Sequence, residues 1–309
     1  MILAAGLTPA WQQILVFDQF SMGEVNRAAQ AHWCASGKSV NVALALAALG
    51  AETASLSLAG GAAGARLKHD LAGHVMAADW VETASATRVC TTIVDRRTGT
   101  TTELVENAAP ISDAEMQAFE AAYERLAARA GAIVLSGSLP PGAEVDSYRR
   151  LMAMSATPVI LDARGPELDA ALAARPLLVK PNREELARTV NRSIDSDREL
   201  IAAARGLIER GARHVLVTQG AGAVWLVTER EARCSRPPHI TAVNAIGSGD
   251  CLAAGCAWSI ARGDDMLTAA RIGMAAAIEN ALALLPARID PQRVLERAGT
   301  IEFARTSED

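Results

Sequence analysis

The residues best placed to do chemistry fall in the run Asn244-Ala245-Ile246-Gly247-Ser248-Gly249-Asp250-Cys251. Small, glycine-flanked positions lead into an acid, and the acid leads into an apolar run of helical period carried by Leu252, Cys256 and Ile260. The pattern predicts a tight turn opening a helix. The first amides of a helix have no acceptor within it and carry partial positive charge, so they suit a phosphate. With a migrating phosphoryl group on those amides, Asp250 can take the proton of an attacking hydroxyl. A plain loop-to-helix junction, its acid serving only the helix dipole, gives the same letters.

Other polar groups offer related chemistry beside an ordinary alternative. Asn182-Arg183-Glu184-Glu185 has the spacing for Glu185 to organise water around a magnesium ion and for Asn182 to reach a phosphate oxygen; it is equally capping chemistry. Lys180 adds charge for phosphate or is a solvated lysine. Thr218-Gln219-Gly220-Ala221-Gly222 forms a wall for a nucleotide or a simple turn. Arg88 can clamp an anion bidentately or lie exposed. Lys38 and Asn41, at a helix start after Gly37, can meet sugar hydroxyls or phosphate, or cap the helix. Ser138 is a ligand contact or a turn residue. Ser36-Gly37-Lys38-Ser39 is not a Walker A loop, because position 32 is His where that motif needs Gly. No Gly-x-Gly-x-x-Gly follows a strand, so dinucleotide binding has no support.

These residues need a scaffold that brings them together. Residues 2–7 read as a buried strand, 37–50 as a small-residue helix stopped by glycine, 53–59 as the next strand and 63–74 as a helix. Ser112-x-x-Glu115 is a capping box before the helical stripe Met116, Phe119, Tyr123 and Leu126. Strands at 132–135, 158–161, 177–179 and 215–218 alternate with helices at 144–155, from 166, from 182 and after Ser196. Residues 223–235 add antiparallel edge strands, and beyond 247 the chain is mostly helical, with Asp290-Pro291 starting the last helix. Repeated strand–helix units imply an α/β fold with a mainly parallel sheet covered on both faces. Ligands of such sheets gather outside the C-terminal strand ends. The polar groups at 136–142, 162, 180–185, 218–222 and 247–250 all sit at those ends. One stretch breaks the rhythm: 88–95 and 100–106, rich in Thr and Val, read as a hairpin in a small separate sheet. Residues 13–20 and 27–34 supply its other strands, with Trp33 and Phe17 covering one face. The expectation is one unit over 1–309, the small sheet inserted from about 12–34 and 87–107.

The composition, 50% hydrophobic and 21% charged over 309 residues, is that of a globular protein with a large core. A net charge of −5 without a basic run argues against nucleic acid or an anionic membrane as partner. Cys34, Cys90, Cys234, Cys251 and Cys256 form no Cys-x-x-Cys, so no disulfide framework or zinc site is suggested. Without a signal core or membrane-length apolar run, a cytoplasmic protein is expected.

Five ordered motifs resemble the PfkB/ribokinase family of ATP-dependent carbohydrate kinases, in the pattern of 1-phosphofructokinases and tagatose-6-phosphate kinases. They are the opening Thr8-Pro9-Ala10-Trp11-Gln12 through Gly23-Glu24-Val25-Asn26-Arg27, Gly37-Lys38-Ser39-Val40-Asn41, Ser136-Gly137-Ser138-Leu139-Pro140-Pro141-Gly142, Lys180-Pro181-Asn182-Arg183-Glu184-Glu185 and Gly247-Ser248-Gly249-Asp250. The resemblance implies a ribokinase-like fold with a β-sheet lid that also serves as a homodimer contact. It implies Asp250 as general base and the amides around Gly247, Ser248 and Gly249 as anion hole. Asn182 and Glu185 would act through Mg2+, Glu185 by way of water, while Lys180, Thr218, Gly220 and Asn280 would contact ATP. Gln12, Gly37, Lys38, Asn41, Arg88 and Ser138 would face the acceptor. The chain departs from the pattern on the acceptor side. Gln12 stands for an Asp, Thr8 for an Asn, Glu24 for a frequent Lys, and Ser36 and Ser39 for glycines. The expected activity is phosphorylation of a small sugar phosphate by ATP. The alternatives are a kinase of an unphosphorylated sugar or nucleoside, and a non-catalytic carbohydrate-binding regulator on the same scaffold.

Overall fold

The computed structural model describes residues 1–306. The chain runs β1 (Ile2–Gly6), β2 (Ala10–Phe17), β3 (Gln30–Ser36), α1 (Lys38–Ala48), β4 (Thr53–Ala59), α2 (Gly61–Leu71) and β5 (Ala77–Glu82). Then come β6 (Arg88–Asp95), β7 (Thr100–Val105), α3 (Asp113–Ala127), β8 (Ala132–Ser136), α4 (Ser147–Ala153), β9 (Val159–Asp162) and α5 (Gly165–Ala171). β10 (Leu178–Val179), α6 (Arg183–Thr189), α7 (Asp197–Glu209), β11 (Val215–Val217), β12 (Val224–Val227) and β13 (Ala232–Ser235) follow. The chain closes with α8 (Ser248–Ala261), α9 (Met266–Ala281), α10 (Pro291–Ala298) and β14 (Ala304–Arg305).

Strands apolar on both faces demand cover on both faces. Ile2 and Ala4 of β1 enter one core while Leu3 and Ala5 enter the other; β8 divides Ala132 and Val134 from Ile133 and Leu135 in the same way. Helices α1, α2, α8, α9 and α10 supply the first core, and α3 to α7 the second. The large sheet has the order β14-β13-β12-β11-β10-β9-β8-β1-β4-β5. It is parallel from β5 to β11 and antiparallel beyond. From β1 the chain crosses to β4 on one side and later to β8 on the other. The gap between β1 and β8 is therefore the switch point at which such sheets bind ligands.

The small sheet has the order β3-β2-β6-β7, with β2 and β6 parallel. Its first two strands begin at Ala10 and Gln30, about three residues off the expected 13–20 and 27–34. Eight residues of β2 register against β6 from Ala10↔Arg88 to Phe17↔Asp95, and this pairing, not the apolar run at 14–17, sets the bounds. Phe17 is buried, whereas Trp33 stacks on Trp11 at 5.9 Å and stays 42% exposed. Ile14, Val16, Cys34 and Val94 rest the sheet on Leu284 and Leu285 of the main body. Two strands had no sequence signal. β5 is a half-exposed edge strand of mixed polarity, and β14 is two exposed residues.

Helix α8 must come close to α9 for its first turn to reach the strand ends. Gly255 and Gly273 make the crossing: a β-carbon on Gly255 would stand 2.7 Å from Gly273 Cα. Among the described residues no helix is long and apolar enough to cross a membrane. Gly255→Ala therefore wedges the two helices apart, at a cost of about 1–3 kcal/mol. Thermal denaturation should show a lowered midpoint; an unchanged midpoint would mean that the crossing has slack.

Candidate active site

The turn before α8 is built from one glycine and two asparagines. Gly247 is left-handed, at φ 84° and ψ −5°, a conformation that favours glycine. Asn244 Nδ2 donates to Leu284 O at 2.8 Å, and its Oδ1 accepts the Ile246 amide at 3.1 Å. Asn280 Nδ2 donates to Ile246 O at 2.9 Å and to Ser248 Oγ at 3.0 Å, while its Oδ1 accepts the Ala287 amide at 2.7 Å. The first intrahelical bond runs from the Cys251 amide to Gly247 O at 2.9 Å. The Ser248 amide, expected in the anion hole, is spent on Ala245 O at 3.1 Å, so the amides that remain for a ligand ahead of that first bond are those of Gly249 and Asp250. Lys180 flanks them, since a β-carbon on Gly249 would lie 3.3 Å from Lys180 Nζ. Asn280 departs from its expected place beside the nucleotide. It is fully buried, its Nδ2 committed to the turn and its Oδ1 to the Ala287 amide, and it does not line the cleft.

Charged groups from five elements meet beneath this turn. Asn41 Nδ2, from α1, donates to Asp250 Oδ2 at 2.7 Å. Lys38 Nζ, at the start of α1, donates to Asp162 Oδ1 at 3.1 Å and lies 3.8 Å from Glu185 Oε1. Lys180 Nζ lies 3.4 Å from the same Asp162 oxygen. Asp162 ends β9 and Lys180 follows β10, so neighbouring parallel strands deliver the pair. Burial pushes the Asp250 carboxyl from 3.8 up to about 7; Lys38 opposes the shift and Asp162 adds to it. Burial also works against the charge of Asp162, but Lys180 and Lys38 outweigh it and hold that carboxyl below its ordinary value. Lys38 is the converse. Enclosure disfavours its ammonium, yet Asp162, Glu185 and Asp250 together keep its pKa above that of a free lysine. Its side chain still opens to the cleft, 39% exposed.

Asn182 and Glu185 form the capping box that their spacing allowed. Asn182 Oδ1 accepts the Glu185 amide at 2.8 Å, and Glu185 Oε2 accepts the Asn182 amide at 2.9 Å. The cap uses one carboxylate oxygen, and the other faces Lys38. Glu185 thus caps its helix and lines the cleft at once.

All these groups line one cleft of about 830 Å³ between the strand ends and the small sheet. On its acceptor side are Gln12, Gly37, Lys38, Asn41, Arg88 and Ser138. Gln12 Nε2 donates to Thr92 Oγ1 at 2.7 Å. Arg88 is held by carbonyls alone, donating to Thr8 O, Pro9 O and Glu106 O at 2.9–3.3 Å, so its charge faces the cleft without a carboxylate partner within 4 Å among the described residues. Thr8 Oγ1 donates to Ser138 O at 3.2 Å and shapes that turn. Glu24 lies on an exposed loop and does not line the cleft. On the opposite side are Thr218 and Gly220, as expected, with an apolar wall that the sequence did not disclose. Met274, Ala277, Ile278 and Ala281 of α9 form this wall at helical spacing, a stripe that in sequence reads only as core. Asp162 was legible as a strand-end acid, but its place between two lysines was not.

Residues 8–284 match the pfkB family of carbohydrate kinases. The 1-phosphofructokinase of Rhodobacter capsulatus is 32% identical over 97% of this chain and 96% of its own. The tagatose-6-phosphate kinase of Staphylococcus epidermidis is 30% identical over 83% of this chain and 84% of its own. Among solved structures, phosphofructokinase-2 from Escherichia coli in complex with fructose-6-phosphate superposes with a TM-score of 0.86 at 26% identity, covering 97% of this chain and 99% of that one.

Between the ordinary 3.8 and about 7 the folded protein binds Asp250's proton more tightly than the unfolded chain does. Ionising this carboxyl therefore costs stability that is lost progressively as pH rises through that window, and the cost is complete above it. Asp250→Asn removes the cost and keeps an acceptor for Asn41. Its melting temperature should exceed that of wild type by more at pH 8 than at pH 5. An equal difference at both pH values would show that burial does not raise this carboxyl.

Proposed function

The chain belongs to the pfkB family of carbohydrate kinases, and on that premise we propose that it transfers the γ-phosphoryl group of ATP to a hydroxyl of a small sugar phosphate. The observation that carries this reading is the buried carboxylate of Asp250 beside the free amides of its own helix start, at the C-terminal edge of the sheet. The names of both curated relatives above describe kinases of sugar phosphates or phosphofructokinases, which supports the acceptor class. Arg88, with no carboxylate within 4 Å among the described residues, and Lys38, whose side chain is 39% exposed, supply cations for a phosphorylated acceptor. Glu24, an acid where the resembling kinases often carry Lys and which would repel a phosphate nearby, lies away from the cleft.

Asp250 accepts the proton of the attacking hydroxyl as the oxygen–phosphorus bond forms. The amides of Gly249 and Asp250, with Lys180 alongside, stabilise the charge on the migrating group from positions already fixed by Asn244 and Asn280. Thr218 and Gly220 with the α9 wall hold the nucleotide, and Gln12, Ser138 and Asn41 orient the acceptor hydroxyls. Gln12, Arg88 and Cys90 put the small sheet over the acceptor, where it excludes water that would otherwise take the phosphoryl group. Glu185 keeps one oxygen outside its cap, and that oxygen would hold Mg2+ by way of water, beside the phosphates of the nucleotide. When bound, the ion neutralises phosphate charge.

A second copy of this chain completes the lid. Trp33, Gln13, Thr91 and Leu104 lie in one cross-strand row on the face of the small sheet turned away from the cleft, and Trp33 and Leu104 are 42% and 55% exposed. Two exposed apolar side chains at the ends of this row, on a thin sheet, favour homodimerisation through the lid.

A coupled ADP-release assay over hexose phosphates, hexoses, pentoses and nucleosides, run with Mg2+, should give the highest kcat/KM on a hexose phosphate. Asp250→Asn should fold and bind ATP but lose roughly 10²–10⁴-fold in turnover, the size of a lost general base. Wild-type turnover in that variant would refute the assignment.

A further inference from the structure

The hydrogen-bond chain that ends on Asp250 does not begin at Asn41. Ser36, the last residue of β3, donates through Oγ to Asn41 Oδ1 at 3.2 Å, and Asn41 Nδ2 donates to Asp250 Oδ2 at 2.7 Å. The three residues line the cleft but are only 3%, 3% and 6% exposed, so little water reaches these bonds. We propose that Ser36 is a positioning residue for phosphoryl transfer, holding the Asn41 amide with its NH2 group toward the ionised base. The inference rests on the kinase reading given above.

The direction of the chain follows from its last member. An ionised carboxylate only accepts, and a carbonyl turned toward it would be repelled. With the Ser36 hydroxyl on Asn41 Oδ1, each donor points the same way, and each bond polarises the next. The three residues come from three elements: the root of the small sheet, the first turn of α1 and the first turn of α8. The chain therefore ties the root of the lid to the base beneath it.

Ser39, the other serine standing where the resembling loop carries glycine, does something separate. Its Oγ lies 3.0 Å from Ser57 Oγ, which donates to Gly6 O at 3.1 Å. This second buried chain fixes α1 to the sheet and does not reach Asp250. It serves as an internal control for a purely structural effect.

The charged and titratable groups around Asp250 are Lys38 on α1, Asp162 at the end of β9, Lys180 after β10 and Cys251 on its own helix. None of them is altered by a change at Ser36. Loss of the Ser36 hydroxyl frees the Asn41 amide to turn, so the Asp250 carboxylate loses a donor and binds its proton more tightly.

The test compares steady-state kinetics against pH for wild type, Ser36→Ala, Ser36→Gly, Ser36→Thr and Ser39→Ala, with melting temperatures for each. Ser36→Ala and Ser36→Gly should lower kcat about tenfold, the effect of one buried hydrogen bond. They should also move the acid limb of the profile to higher pH and leave KM for ATP unchanged. Ser36→Thr should restore both. Ser39→Ala should lower the melting temperature without moving the acid limb. In an Asn41→Ala background, Ser36→Ala should add nothing. A wild-type limb and kcat in Ser36→Ala, or additivity with Asn41→Ala, would overturn the proposal while leaving the kinase reading intact. An inactive wild type would instead overturn that reading.

Discussion

A carboxylate that must ionise away from water needs its charge balanced by the protein, and the cleft floor is arranged around that need. Lys38 and Lys180 both hold Asp162, and Lys38 also faces Glu185 and the field of Asp250. Removing either lysine would leave the buried Asp162 with one cation in place of two, and breaking a buried pair in this way is destabilising. The same balance leaves Asp250 poised. Burial holds its proton to about neutral pH, while Lys38 and the Asn41 amide keep the ionised form accessible.

The fold delivers these charges by ordinary means. Of two adjacent parallel strands one ends in Asp162 and the other is followed directly by Lys180, so their side chains meet at the sheet edge without any special loop. Lys38 and Asn41 lie one turn apart at the start of α1, and the return from the small sheet puts that start at the switch point. Asp250 arrives because Gly255 and Gly273 let α8 pack deeply against α9. The small sheet then covers the site with its Gln12, Cys34, Cys90 and Val105 row facing inward.

Much of this was legible in the sequence where local chemistry decides local structure. The Ser112 and Ser196 capping boxes, the β6–β7 hairpin and the all-buried strand β4 formed as their residue patterns dictate. What the sequence concealed depends on partners distant in the chain. Strand β5 exists because β4 offers it an edge, not because its own residues alternate. The α9 stripe is indistinguishable from core until the cleft beside it is known. Asn280 carries the letter of a ligand-binding residue, but its amide is spent on a turn more than thirty positions away. In Asn182–Glu185 the capping box formed as its spacing dictates, and because a carboxylate has two oxygens the second is left facing Lys38.

The central claim is that Asp250 must shed a proton before the acceptor can attack, and the pH dependence of wild-type kcat/KM on the best sugar phosphate tests it most directly. The account predicts a rise with unit slope that breaks near pH 7, the pKa of the buried carboxyl in the free protein. A profile that stays level from pH 5 to pH 8, where the fold is intact, would contradict it.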